Sequence, residues 1–306
     1  MGGVEVVLAA LTHPGRKRPK NEDWVAVERT ETGAFLLVAD GMGGHKTGDV
    51  AARVASETIL AHVRDKAPSP QVLLEAFEKA NRRVYELAQR PEYRGMGTTA
   101  TALWLDLPYA LIAHVGDSRA YLLRQGELLQ LTEDHSWVAE RMRQGLLTAE
   151  EARTHRWRNV ITNALGSFPE ARVDLLGLKA EPNDLFLLAT DGLYSVLEDK
   201  TLQEVLKDFP PEEAARRLVD LANEWGGPDN ISLAIAKLPE ALPQQSRPYA
   251  LALETARGPV RLKLGDTEEM PTQVLEPKRK AHFSWRDLLL IGAWVVLLLY
   301  ILLNQR

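Results

Sequence analysis

The chain is predicted to fold as an α+β protein, two antiparallel sheets covered by helices, on three observations. Apolar runs of strand length recur, helix candidates arrive in pairs between groups of strands, and several runs end in an Asp beside a Gly. A βαβ alternation would put a helix after every strand. Here Thr98–Leu107, Tyr109–Val115 and Ala120–Arg124 follow one another across short turns.

Val4–Leu11 carries Glu5, has no basic residue ahead of it and runs into His13, Pro14 and Gly15, so it reads as a first strand and not as a signal peptide. Glu22 and Asp23 precede a strand at Trp24–Val27, and Phe35–Ala39 is closed by Asp40-Gly41-Met42-Gly43-Gly44. Helices are predicted at Thr47–Val63 and Gln71–Ala88, the second behind Pro70, which suits a first helical turn. A strand at Leu128–Leu131 leads into a charged helical region, Ser136–Arg158. Strands return at Arg172–Leu178, Leu185–Thr190 and Ile231–Lys237, with a helix at Glu212–Trp225.

Composition narrows the chemistry. With 37 Lys and Arg against 42 Asp and Glu, a net charge of −5 and 45% hydrophobic residues in 306, the chain is neither a disordered tail nor a strongly basic nucleic-acid binder. The absence of Cys removes disulfides, thiolate zinc, iron–sulfur clusters and a Cys nucleophile, so any metal must be held by oxygen or imidazole.

The chain divides at about residue 238. Residues 239–286 collect Pro239, Pro243, Pro248, Pro259, Pro271 and Pro277 and read as a juxtamembrane tether, in which the runs Tyr249–Leu253 and Val260–Leu264 either form a short hairpin over 249–264 or lie in a loose linker. Residues 287–304 are predicted to be a single transmembrane helix in contact with lipid. Leu288–Leu303 has no charge and no polar face; at 1.5 Å per residue it spans about 24 Å, extended toward the roughly 30 Å of a bilayer core by snorkelling of Arg286 and Arg306. Lys278, Arg279, Lys280 and Arg286 precede it, which predicts a single-pass protein of the cytoplasmic membrane with its folded body in the cytoplasm.

The chemistry gathers where strands end in acids. Asp40 and Asp191 each follow an apolar run and precede a Gly; Asp117 lies in Gly116-Asp117-Ser118-Arg119 and Asp229 in Gly227-Pro228-Asp229-Asn230. If these converge they cannot all ionise without cations, because like charges raise one another's pKa. An oxygen-rich site without Cys suits Mg²⁺ or Mn²⁺, and two such ions activate a bridging water against a phosphate ester.

Arg18-Pro19-Lys20-Asn21-Glu22-Asp23, Asp40-Gly41-Met42-Gly43-Gly44, Gly97-Thr98-Thr99, Gly116-Asp117-Ser118-Arg119, Thr132-Glu133-Asp134-His135-Ser136, Thr190-Asp191-Gly192-Leu193 and Asp229-Asn230 stand in the order found in bacterial metal-dependent Ser/Thr phosphatases of the PP2C type (the PPM family), which residues 4–238 resemble. The resemblance implies a four-layer αββα sandwich and hydrolysis of phosphoserine and phosphothreonine in proteins by a water bridging two metals, with no phosphoenzyme. It implies Asp40 as the bridging carboxylate, Asp191 and Asp229 on the first metal, the Gly41 carbonyl and Glu22 on the second, and Asp117 with Asp191 at a weaker third position. Asp23 would order water or orient the nucleophile, and Arg18 would clamp the substrate phosphate, its planar guanidinium meeting two oxygens at once. Met42 replaces the His taken as the leaving-group acid in animal members and cannot donate a proton; His45 and metal-bound water are the candidates for that step. His114, inside an apolar strand, is expected to be a hydrogen-bonded core residue. The Ser136–Arg158 region corresponds to the flap of bacterial relatives, with Arg141, Arg143, Arg153, Arg156 and Arg158 selecting acidic or phosphorylated substrate surface. The expected partners are phosphoproteins, including a eukaryote-like bacterial Ser/Thr kinase and its substrates, with a monomeric catalytic domain. The alternatives are a phosphatase of an anti-anti-sigma factor, whose subgroup commonly lacks the N-terminal Arg and acidic motif, and an inactive membrane-tethered sensor, which would have lost a carboxylate.

Overall fold

The structure, a computed structural model, describes residues 5–43, 47–245, 247, 249, 253, 258–262 and 272–274, all within one compact unit that spans residues 1–275. Its strands are β1 (Val7–His13), β2 (Asp23–Thr30), β3 (Gly33–Met42), β4 (Gly97–Thr98), β5 (Ala100–Asp106), β6 (Tyr109–Val115), β7 (Arg119–Arg124), β8 (Glu127–Gln130), β9 (Asp174–Lys179), β10 (Leu185–Ala189), β11 (Ile231–Lys237), β12 (Val260–Leu262) and β13 (Thr272–Val274). The helices are α1 (Gly48–Val63), α2 (Pro70–Ala88), α3 (Trp137–Arg143), α4 (Ala149–Thr154), α5 (Asp191–Tyr194), α6 (Asp199–Asp208) and α7 (Pro211–Glu224).

Every pairing is antiparallel. One sheet runs β1-β11-β10-β7-β8 and the other β13-β12-β9-β6-β5-β3-β2, with β4 paired to β3. The sheets face each other, and the alternation within single strands shows why. On β3, Leu36 and Val38 point into the core between the sheets, while Phe35 and Leu37 pack under α1 and α2. On β10, Phe186 and Leu188 join the same central core, while Leu185 and Leu187 pack under α6 and α7. Strands covered on both faces are apolar at every position, so the sequence shows compact runs instead of alternation. This is the four-layer arrangement expected from the sequence. Helix α2 starts where predicted, with Ser69 Oγ accepting from Val72 N at 3.2 Å and Pro70 in the first turn. The charged region after Ser136 is two short helices and a turn, not one helix.

The expectation for 249–264, a short hairpin or a loose linker, is corrected at the few of those residues that the structure describes. Val260 and Arg261 pair with Gly177 and Leu176 of β9, extending the larger sheet, and β12 in turn pairs with β13. Tyr249 and Leu253 are buried in the core under α1 and α2. Gly177 provides the slot: a Cβ there would lie 3.0 Å from Leu253 Cδ2 and 3.1 Å from Leu262 Cδ1. A buried carboxylate locks the segment down, since Asp106 at the end of β5 receives Arg247 Nε at 2.6 Å, Arg247 Nη2 at 2.7 Å and the Tyr249 hydroxyl. The described residues of both apolar runs are thus held by sheet and core far back in the chain. Among the described residues no helix is long and apolar enough to cross a membrane; the predicted span at 287–304 lies outside them.

Candidate metal centre

The acids meet at one end of the two facing sheets. Asp23 and Asp40 are direct cross-strand partners on β2 and β3, an arrangement that is unfavourable for two charged carboxylates. Asp40 is fixed through its backbone: its N–H donates to Thr99 Oγ1 at 2.9 Å, and its carbonyl accepts from Thr98 Oγ1 and Thr99 N, both at 2.9 Å. Its carboxylate is thus left to the site. Gly41 is obligatory, because a Cβ would come within 2.1 Å of Gly48 O and 2.5 Å of Glu22 O.

Across the core, Asp191 opens α5 directly after β10, and a Cβ on Gly192 would lie 1.9 Å from Asn230 O, so this turn is pressed against the strand start that carries Asp229. Thr190 Oγ1 donates to Asp23 Oδ2 at 2.8 Å and ties the second sheet to the first. Asn230 joins the third part: its Oδ1 accepts from Glu22 N at 2.8 Å and its Nδ2 donates to Pro14 O and Lys20 O, each at 2.9 Å. Arg18 Nη2 donates to Asp229 Oδ2 at 2.7 Å from a half-exposed side chain. Asp117 approaches from the β6–β7 turn, its carbonyl accepting from the Tyr194 hydroxyl at 2.7 Å.

Electrostatics show the convergence directly. Burial, followed by repulsion from Asp23, Asp191, Asp117 and Asp229, pushes Asp40 well above the usual carboxylate range. Burial pushes Asp23 up to about 7, against hydrogen bonds from Ser232 and Thr190, and Asp191 up to about 6, with Asp229 adding to the rise. Asp117 is pushed well up by burial and by Asp191 and Asp134. Asp23 Oδ1 and Asp191 Oδ1 are buried without a hydrogen-bond partner. Buried acids with orphaned oxygens, and no thiolate among the donors, fit hard divalent cations.

The structure therefore brings Asp23, Asp40, Asp117, Asp191, Asp229 and Arg18 together, with Glu22 on the adjoining loop. His45 lies outside the described residues. The five flap arginines are not gathered at the acids: Arg141 lies over the Trp137 ring, Arg143 and Arg153 face Glu133 and Glu198, Arg156 covers Trp157, and Arg158 is exposed. His114 is a core residue as expected, with Nδ1 2.9 Å from Thr101 Oγ1 and Nε2 3.0 Å from Glu133 O. Thr99, Thr190, Tyr194 and Asn230 have parts in the site that the sequence reading did not assign. All four stand within three residues of an acid or inside a Gly-Thr-Thr or Asp-Asn run, the signal that could have found them.

Residues 13–238 match the model of the family described as protein phosphatase 2C. The protein phosphatase PhpP of Streptococcus pneumoniae is 36% identical over 240 residues, 76% of this chain and 98% of that protein. The serine/threonine protein phosphatase PstP of Mycobacterium tuberculosis is 39% identical over 243 residues, 77% of this chain and 46% of that protein. The crystal structure of the M. tuberculosis serine/threonine phosphatase PstP/Ppp superposes with a TM-score of 0.71 at 37% identity, covering 76% of this chain and 99% of that one. The PstP catalytic domain in complex with two manganese ions superposes with a TM-score of 0.69 at 36% identity, covering 76% and 98%.

Proposed function

This chain belongs to the protein phosphatase 2C family and is a metal-dependent protein serine/threonine phosphatase, and on that premise we propose how its own residues carry out the reaction. The observation that carries the proposal is the meeting of buried carboxylates from β2, β3 and the turn after β10, two of which, Asp23 and Asp191, keep an oxygen without a hydrogen-bond partner. Asp40, Asp191 and Asp229, with Glu22 and the Gly41 carbonyl, would hold two Mn²⁺ or Mg²⁺ ions, and Asp117 with Asp191 a weaker third. When bound, these cations supply the activated water and neutralise the phosphoryl oxygens.

The chain's own groups do the rest. Arg18 spends one N–H on Asp229 and, from its half-exposed position, offers further donors of its planar fork to the phosphate. Asp23, held at Oδ2 by Thr190 and with Oδ1 left without a hydrogen-bond partner, is suited to order and orient the attacking water. The exposed flap arginines offer positive charge to phosphorylated or acidic substrate surface. The phosphoproteins served would be those of a Ser/Thr kinase of the same cell. The charge-free stretch Leu288–Leu303, with basic residues ahead of it, supports a membrane anchor that keeps the body on the cytoplasmic side.

Hydrolysis of a phosphothreonine peptide with added Mn²⁺, by wild type, Asp40→Ala and Asp191→Ala, tests the centre. Equal phosphate release by all three would refute it. Recovery of the full chain in the soluble fraction of lysed cells would refute the anchor.

A further inference from the structure

The segment 132–136 links β8 to the flap, and the acids on either side of its buried imidazole are both shared with the strand that follows the family-matched region. Glu133 Oε2 lies 3.4 Å from Arg143 Nη1 of the flap helix α3 and 3.4 Å from Arg261 Nη2 of β12. Asp174 Oδ2, at the start of β9, lies 3.4 Å from the same Nη2 and 3.2 Å from His135 Nε2. His135 Nδ1 faces two donors, Gly116 N at 3.2 Å and Asn163 Nδ2 at 2.7 Å, so the ring proton sits on Nε2 and points at Asp174. The His135 carbonyl accepts from Thr162 N at 2.9 Å. Thr162 and Asn163 lie in the stretch that returns from the flap to the body, and Arg143 in the helix that leads out into it. Arg261 Nε is buried without a partner, so the guanidinium is kept in place by its strand and two carboxylates.

We infer that Arg261 is a positioning residue for phosphopeptide hydrolysis: from outside the family domain it fixes both limbs of the flap against the larger sheet. The inference rests on the reading that the flap meets substrate. Single ion pairs at this distance and exposure contribute little. One guanidinium at the junction of both limbs nevertheless couples them, because its loss takes a shared partner from Glu133, which keeps Arg143, and from Asp174, which keeps His135 and Arg172.

The test uses the full chain as wild type, Arg261→Met, Arg261→Lys, and a flap variant with Arg153, Arg156 and Arg158 changed to Gln. Chymotrypsin cleavage after Leu146 and Trp157, both exposed flap residues, reports flap mobility without reference to activity. Steady-state constants for a phosphothreonine peptide and for nitrophenyl phosphate report its consequence. Arg261→Met should raise cleavage at the two flap bonds about 3- to 5-fold and the peptide KM by a similar factor, with a far smaller change for the aryl ester; Arg261→Lys should restore both. Unchanged flap cleavage, or cleavage raised equally at bonds remote from the flap, overturns the inference. So does a peptide KM moved by the flap variant and not by Arg261→Met. If neither variant moves the peptide KM while flap cleavage rises, the flap does not meet substrate, and the reading beneath the inference falls with it.

Discussion

Asp40 and Asp106 lie on adjacent strands of one sheet, each packed into protein at a strand end, and their surroundings are opposites. Burial alone would raise Asp106 as it raises Asp40, but hydrogen bonds from Arg247, Tyr249 and Thr32 bring it below the ordinary carboxylate value. Around Asp40 stand Asp23, Asp191, Asp117 and Asp229. One carboxylate is given its cation by the chain; the other is left in want of one. A structural acid and a functional acid thus differ less in burial than in who supplies the counter-charge.

Exchanging the two acids for neutral residues sharpens this contrast most. Asp40→Ala should lower phosphothreonine-peptide hydrolysis by about 10³-fold or more, while the melting temperature of the metal-free protein holds or rises, since a repelling group has gone. Asp106→Asn should do the reverse: turnover within a few-fold of wild type, and a loss of about 3 kcal/mol as the hydrogen bonds of Arg247 and Tyr249 lose their buried charged acceptor, roughly 6–12 °C in melting temperature. Matched assays and thermal melts of both variants check it. Two variants that lose activity alike and stability alike would erase the distinction.

Proton linkage gives the next effect. Asp23 and Asp191 have folded-state pKa values raised to about 7 and about 6, so between about pH 4 and 7 the metal-free folded state binds protons that the unfolded chain has released. Its stability should fall as pH rises through that window. Divalent cations displace those protons, so the rise in melting temperature on adding Mn²⁺ should be clearly larger at pH 8 than at pH 5.5, with apparent affinity climbing about tenfold per pH unit for each proton displaced. A Mn²⁺ shift independent of pH would show that these acids are not where the metal binds. Asn230→Ala, which cuts the contacts to Glu22 N, Pro14 O and Lys20 O, should weaken Mn²⁺ about 10- to 100-fold in the same melts.

The same contrast separates what the sequence discloses from what it withholds. Asp40, Asp117, Asp191 and Asp229 were legible because each closes or opens an apolar run beside a Gly or Asn, and doubly covered strands are written as continuous runs. Asp106 was not. It also ends such a run, but its meaning depends on Arg247 and Tyr249, more than 140 residues later, in a stretch whose prolines suggest a loose linker. Helix α6 was also passed over; Leu202, Val205 and Leu206 give its buried stripe, but ten residues dense in charge make a short signal. Asn230 shows the intermediate case: its position in the Asp-Asn pair was visible, its three bonds across the chain were not.

The smallest effect tests the sign of the comparison at its quiet end. Removing the cation and keeping the acid, as Arg247→Gln does, leaves Asp106 with Tyr249 and Thr32 and should cost about 1–2 kcal/mol at pH 7, a shift of a few degrees, because the lost guanidinium is itself partly exposed. The folded-state pKa of Asp106 is depressed, so the stability it contributes is present above the unfolded value near 3.9 and lost as pH falls through the folded one. The melting temperatures of wild type and Arg247→Gln should therefore differ at pH 6–8 and draw together as pH falls below the unfolded value. Asp23 and Asp191 act in the opposite direction, destabilising the metal-free fold as pH rises. A gap between the two proteins that widened in acid would mean that Arg247 acts through packing alone and that the charge pairing at Asp106 contributes nothing.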